Sequence, residues 1–244
     1  MAEVKKEERG IITLAIRDLF SQKSDNTEIQ ASYYEVYNES IYDLLNGETL
    51  DKSLVLYEDG DTFKVRGLRT AHVNDLTDCL NIMKDGEQNR HYASTRMNHQ
   101  SSRSHTIFSL KIVRRISETL EQESLLNFID LAGSENISIH DKKDDDSPSS
   151  TKERKAEGTN INKSLFYLTQ VISKLSLNTP QHIPYRNSTL TKILRSSLGG
   201  NSKTAVILCI TPSEAQLDQS ISTLRFGQKA KRIENTPTVN LKDL

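Results

Sequence analysis

The stretch Leu125 to Glu135, LLNFIDLAGSE, narrows the folds open to this 244-residue chain more than any other part of it. Within it, Leu125 to Ile129 reads as a short buried strand, of the kind α/β proteins use to deliver a carboxylate. The run ends on Asp130. Sheet proteins that handle phosphate place a carboxylate at a strand's carboxyl end, where it can stand beside a magnesium ion. Gly133, three residues on, lets a backbone N–H approach a terminal phosphate where a side chain would leave no room. Taken alone, the same residues suit an ordinary turn, with Asp130 as its cap and Gly133 as its bend.

A second motif changes that balance. NHQSSRSH, Asn98 to His105, sets an arginine among three serines immediately before the strand-like run Thr106 to Val113. Hydroxyl oxygens of Ser101 and Ser102 can ligate a metal or hold a water, and a guanidinium pairs with anions. Arg103 has no acidic partner close by in sequence, and Glu135 could neutralise it. By itself such a loop would be a serine-rich helix cap. Beside Asp130 and Gly133 it reads as the second half of a phosphate sensor.

The remaining sequence supplies a sheet and its covering helices. Ile11, Ile12, Ala15, Ile16 and Leu19 recur at helical spacing, predicting a helix over Gly10 to Phe20. Ile29 to Tyr37 is aromatic and β-branched and reads as a strand, followed by the apolar ESIYDLL. Leu54 to Tyr57 and Phe63 to Val65 flank EDGD as a hairpin, and Asn74 to Lys84 reads as a helix capped by Asn74 or Asp75. Thr106 to Ile116 pairs with Leu125 to Ile129 through SETLEQES. The polar, charged stretch Asn136 to Glu157 reads as a long exposed loop. Beyond it the pattern gives a helix carrying Ile161, Leu165, Leu168, Ile172 and Leu175, a second helix from Ser188 to Leu198 stopped by Gly199, a buried strand Ala205 to Ile210, and a final helix Leu217 to Ile233.

Charge and cysteine content set further bounds. Gly158 to Leu244 holds 11 Lys and Arg against 4 Asp and Glu, a balance of +7, and Met1 to Glu157 holds 21 against 29, or −8. A basic C-terminal third suits an acidic partner, whether nucleic acid, anionic membrane or an acidic protein polymer, or else is a solvated face. Two cysteines, Cys79 and Cys209, give no disulfide framework and no four-thiolate metal site. No apolar run approaches the roughly 20 residues of a spanning helix, and MAEVKKEERG has no signal-peptide core, so a cytosolic protein is expected.

SYYEVYNESIYDLL, TRMNHQSSRSHTIFSL, NFIDLAGSE, EGTNINKSLFYLTQVISKL, HIPYRNSTLTKILRSSLGGNSKTAVILCITP and LRFGQKAKRIENTPTVN follow one another in this order and cover nearly the whole chain from Gly10 onward. Together they resemble a kinesin motor domain. The resemblance implies an α/β fold of the kinesin-type P-loop NTPase class, three-layered, with a central mixed sheet flanked by helices and incomplete at its N-terminal side. It implies a polar tail over 1–9, the C-terminal two-thirds of a motor domain over 10–233, and a segment over 234–244 similar to the neck linker of an N-terminal-motor kinesin of the centromere-associated subfamily. ATP and Mg2+ are the implied cofactors. Asn98, Ser101 and Ser102 would contact phosphate, magnesium and the attacking water, with Ser102 ligating the metal. Asp130 would hold the metal through water, the Gly133 N–H would sense the terminal phosphate, and Arg103 would close the site on Glu135. The implied reaction is phosphoryl transfer to water, driven by positioning and charge stabilisation. Microtubules are the implied partner, met through Lys163, Arg186, Lys192 and Arg195, with no nucleic acid and no membrane involved and dimerisation only through a stalk outside this sequence. The implied setting is the cytoplasmic microtubule cytoskeleton, the spindle included.

Three departures from the family pattern matter. No G-x-x-x-x-G-K-S/T loop occurs in the 244 residues, so the cradle for the β- and γ-phosphates is absent. LGGNSKT, Leu198 to Thr204, imitates it, but its lysine does not follow a glycine and it leads from helix to strand, the reverse of a phosphate loop. The family pattern expects roughly a hundred further residues before this chain's first helix, including the strand that would lie between Leu125–Ile129 and Ala205–Ile210. Asp141, Asp144, Asp145 and Asp146, and Thr189 where the family usually has lysine, weaken the expected filament face. A motor ATPase is therefore the leading reading, and a non-catalytic, kinesin-derived microtubule-binding or regulatory protein unable to hold ATP alone is the alternative. A GTPase-type switch ranks last, because no N-K-x-D guanine reader is present.

Overall fold

The computed structural model describes residues 10–47, 52–60, 62–96, 103–133, 163–177, 179 and 181–244. Its spine is a long antiparallel pair, β6 (His105–Arg115) with β7 (Leu120–Asp130), in a register that sets Thr106 opposite Asp130 and Leu110 opposite Leu126. Strand β1 (Thr27–Tyr37) lies along the other edge of β6, pairing Tyr33 with Phe108 and Val36 with His105. Strands β2 (Ser40–Asp43) and β5 (Ala71–His72) join β1, and β8 (Asn240–Asp243) joins the start of β7. The order is β2-β1-β6-β7-β8, and every pairing among the described strands is antiparallel where a mixed sheet is expected from the sequence.

Strand alternation explains how the sheet acquires two apolar faces. Ile29, Ala31 and Tyr33 of β1 share one face with Phe108 and Leu110 of β6, and that face is covered by Ile16 of α1 (Ile11–Ser21) and Cys79 of α2 (Leu76–Arg96). Tyr34, Val36 and Ile107 point the other way, against Ile41, Leu54, Leu56, Val65 and Ile193. Ile16, Ala31, Leu44 and Leu110 have no exposed surface, and complete burial of a leucine or isoleucine side chain stabilises the fold by about 1.5–3 kcal/mol. The Tyr33 and Phe108 rings meet edge to face at 5.4 Å. Helix α2 comes close to β1 only because residue 86 is glycine, since a Cβ there would collide with the Tyr33 ring.

A third apolar cluster builds the other end of the chain. Leu168, Val171 and Ile172 of α3 (163–175) pack on Leu190 of α4 (Thr189–Ile193) and on Leu194 and Leu198, with Phe226 of α5 (Leu217–Ala230) alongside. Ser188 caps α4, its Oγ accepting from the Thr191 N–H. The hairpin of β3 (Val55–Asp59) and β4 (Thr62–Arg66), turning at Gly60 with φ +58°, lies against α4 through Ile193.

Several expectations change. Helix α2 runs to Arg96, twelve residues beyond the expected end at Lys84, because Gly86 is used for close packing and does not stop the helix. Asp75 is the working cap, accepting from the Asp78 N–H at 2.9 Å. The helix expected over Ser188 to Leu198 is α4 followed by a tighter 3-10 turn, Leu194–Ser196. The buried strand expected over Ala205 to Ile210 is not formed among the described residues: it pairs with no strand, and Val206, Ile207 and Ile210 are 50%, 69% and 56% exposed. An apolar segment becomes a buried strand only when neighbours take up its backbone groups, and none does so here. The loop 136–157 lies outside the described residues.

Candidate functional site

The register of β6 and β7 explains why two motifs far apart in sequence meet. An antiparallel pair places the beginning of one strand beside the end of the other, and here Thr106 faces Asp130. The chain entering β6 through Arg103 and Ser104 and the chain leaving β7 through Leu131, Ala132 and Gly133 therefore share one end of the sheet.

The joint is made by two residues that sequence reasoning did not select. Arg90 of α2 is nearly buried, and its Nη2 donates to Ser104 Oγ at 3.4 Å. Its guanidinium also lies 3.7 Å from Glu35 Oε1, and 3.9 Å from both Glu87 Oε2 and Asp130 Oδ2, ion-pair distances longer than hydrogen bonds. Burial raises the Glu35 carboxyl above its usual range, against the opposing pull of Ser104 and Arg90. Burial likewise raises the phenol of Tyr33, whose hydroxyl bonds Glu87. A signal for Arg90 exists in the sequence: Cys79, Met83, Gly86 and Arg90 fall at four-, three- and four-residue spacing, which puts a cation on the inward face of a helix.

The second residue is His105, 3% exposed. Its Nδ1 accepts from the Ala132 N–H at 3.0 Å, which leaves the proton on Nε2 to be donated to Ser164 Oγ, 2.8 Å away on α3. Burial pushes this imidazole down to about 4, so it is neutral near pH 7. One side chain thus ties the start of β6, the turn after Asp130 and the helix α3.

Of the residues expected at the phosphate site, Asp130 ends β7 with its side chain 75% exposed, Gly133 follows in the same turn half-buried, and Arg103 is half-buried in the approach to β6. Asn98, Ser101, Ser102 and Glu135 lie outside the described residues, and with them the expected pairing of Arg103 and Glu135. The Leu198 to Thr204 stretch offers no cradle, since the Gly199 N–H is donated to Asn235 Oδ1 at 2.7 Å. Among the described residues no group of three or more His, Cys, Asp or Glu forms a metal cluster.

The basic residues divide. Lys163 is exposed at the start of α3 and Lys192 is half-buried on α4. Arg186 and Arg195 converge on a single carboxylate, Glu58 of the hairpin: Arg186 Nη2 reaches its two oxygens at 2.9 and 2.7 Å and Arg195 Nη1 reaches one at 3.4 Å. Thr189 is buried, its N–H donating to Glu39 Oε2 at 2.6 Å and its hydroxyl to the Glu39 carbonyl at 2.8 Å, so this position serves the β1–β2 turn.

Comparison with known proteins identifies the family to which this fold belongs. The family model of the kinesin motor domain matches residues 1–233. Kinesin-related protein 4 of Dictyostelium discoideum is 43% identical over 242 residues, a match covering 95% of this chain and 12% of that protein. Kinesin-like protein KIN-7N of Arabidopsis thaliana is 41% identical over 241 residues, covering 95% of this chain and 28% of its own length. Among solved structures, a KIF14 dimer in its two-heads-bound state with AMP-PNP on a microtubule superposes with a TM-score of 0.81 at 36% identity, covering 96% of this chain and 68% of the other. A fast kinesin gives 0.82 at 33% identity over 99% of this chain and 68% of its own. The chain thus spans 12% and 28% of the two curated relatives.

Proposed function

Because the chain belongs to the kinesin motor domain family, we propose that it supplies the nucleotide-sensing and filament-facing part of a microtubule motor that hydrolyses ATP. The observation that carries this reading is the hydrogen-bonded joint at one end of the sheet. Arg90 reaches both Ser104 and Asp130, and His105 links the turn after Asp130 to Ser164 of α3. A change in either loop would thereby reach α3, the helix that carries Lys163 and Ser164.

The residues present fit one half of an ATP and magnesium site. Asp130 is exposed at a strand end, suited to hold magnesium through water, and Gly133 offers a backbone N–H close by. Magnesium-bound ATP would supply the phosphoryl group and the charge that the loops read. Asn98, Ser101 and Ser102 would orient phosphate, metal and water, and Arg103 would close the site by pairing with Glu135. Arg90, 3.9 Å from Asp130 Oδ2, would compete with a metal-bound water for that carboxylate. The other half, a G-x-x-x-x-G-K-S/T grip on the β-phosphate, has no counterpart in the 244 residues.

The filament side is read as acidic-polymer binding through Lys163, Arg186, Lys192 and Arg195, and the KIF14 structure on a microtubule makes tubulin the polymer to test. The setting that follows is the microtubule cytoskeleton, with the cytoplasm and the spindle as the arrays to be examined, and residues 234–244 read as a neck linker. The second reading is a non-catalytic protein whose microtubule binding ignores nucleotide. Co-sedimentation with microtubules, with and without ATP, together with titration of a fluorescent ATP analogue, separates the two. Release from the pellet by ATP supports the motor, and pelleting indifferent to ATP with no analogue binding supports the non-catalytic form.

A further inference from the structure

We propose that Glu58 of the β3–β4 hairpin is a built-in stand-in for the acidic partner, which must be displaced from Arg186 and Arg195 before those arginines can hold a carboxylate of the polymer. The proposal rests on the reading of this face as the polymer-binding one. Three charges meet here from three separate pieces of chain: Glu58 in β3, Arg186 in the turn before α4, and Arg195 in the turn after it. Arg186 spends Nη2 on both oxygens of Glu58, at 2.9 and 2.7 Å, and Arg195 Nη1 shares one of them at 3.4 Å. One terminal nitrogen of each guanidinium is therefore turned to an internal carboxylate, and the two positive charges with Glu58 sum to a net +1.

The site is open to exchange. The Arg186 side chain is 72% exposed and that of Glu58 39%, so water and an incoming carboxylate can reach both. Arg195 is held more firmly, 29% exposed and 5.9 Å from the Tyr185 ring, which leaves Arg186 as the arm that swings. The two guanidinium groups hold the Glu58 carboxyl below its usual range, with Arg186 the larger cause, so the stand-in is ionised at neutral pH. The same hairpin repeats the device locally, Asp59 pairing with Lys64 at 2.5 Å. Binding then exchanges one carboxylate for another, and the strength of the contact is set by the difference between them.

Neutralising Glu58 is expected to tighten binding. In co-sedimentation with microtubules, Glu58→Gln should bind about two- to five-fold more tightly than the unaltered chain, the range of an exposed ion pair. The gain should shrink as the Debye length falls from about 10 Å at 0.1 M salt towards about 3 Å at 1 M. Glu118→Gln, an equal charge change in the β6–β7 turn, should give less than half that gain, and Glu58→Gln placed in an Arg186→Gln, Arg195→Gln background should give none. Unchanged or weaker binding by Glu58→Gln, or a gain that survives loss of both arginines, overturns the proposal. Elution from a poly-glutamate resin provides a second readout without microtubules, on which Glu58→Gln should elute at higher salt than Glu118→Gln. If the unaltered chain fails to pellet with microtubules, the reading of the partner falls, and the resin still decides the role of Glu58.

Discussion

His105 carries more of the fold than one side chain usually does, because its two nitrogens serve two different segments. Its proton affinity makes that role measurable. The imidazole falls from an ordinary value of 6.5 to about 4 on folding, so the unfolded chain takes up a proton first as pH drops. The stabilisation is complete above about pH 6.5 and is lost between there and pH 4, amounting to on the order of 3 kcal/mol. Glu35 acts in the opposite sense, its raised carboxyl favouring the folded state at low pH and losing that contribution as pH climbs through its folded value. We expect His105→Gln to lower Tm at pH 7 and to flatten the fall in Tm between pH 6.5 and 4, measured by thermal melts across that range. Parallel acid curves for the two proteins would assign the acid sensitivity to other groups. His105 did not stand out in the sequence, because burial and partner geometry give it its role, and for Arg90 helical spacing marks an inward cation but not its partners. Asp130 and Gly133 did stand out, since a strand's carboxyl end is a place that periodicity alone can locate.

Individual elements show where local pattern decides and where it does not. Aromatic and β-branched content was enough to find β1 as a strand, and the structure sets Ile29, Ala31 and Tyr33 on one side and Tyr34 and Val36 on the other. The end of α2 was not legible, because a glycine usually weakens a helix and this one is kept for contact with a ring. The C-terminal segment is tied down by a residue no pattern would single out. Asn235 donates to the carbonyls of Ser197 and Ser202 at 3.1 and 2.9 Å and accepts from the Gly199 N–H at 2.7 Å, anchoring the chain that continues into β8. Asn235→Ala should cost about 1–3 kcal/mol and leave Gly199 without that acceptor. Hydrogen exchange is the direct check: amides of 236–243 should exchange faster in the variant while those of β1 keep their protection, and unchanged exchange at β8 would mean that strand pairing alone holds the segment.

On the scale of the whole molecule, the apolar surface is unevenly covered. The half of the sheet around β1 is sealed on both faces, whereas Leu125 is 61% exposed and Val206, Ile207 and Ile210 stand open to solvent. Ala205 to Ile210 was legible in the sequence as apolar and β-branched, but burial depends on a neighbour, and sequence composition does not supply one. Exposed apolar stretches of this kind promote association between chains. Replacing Ile207 with lysine should reduce concentration-dependent light scattering and the binding of a hydrophobic dye, without lowering Tm by more than about 0.5 kcal/mol equivalent. A large drop in Tm would show that Ile207 is packed in solution.

Gly86 gives α2 a fixed datum on β1. The helix is seated where the Tyr33 ring fills the space that any Cβ would need, so it cannot slide without the ring and glycine parting. Arg90 comes four residues later, about 6 Å further along the axis, and its reach to Ser104 and Asp130 is measured from that seat. Substituting alanine at residue 86 therefore shifts this seat without altering any residue at the sheet's end. The helix would persist, with unchanged far-ultraviolet circular dichroism, while the guanidinium arrived at the wrong distance from Ser104 and Asp130.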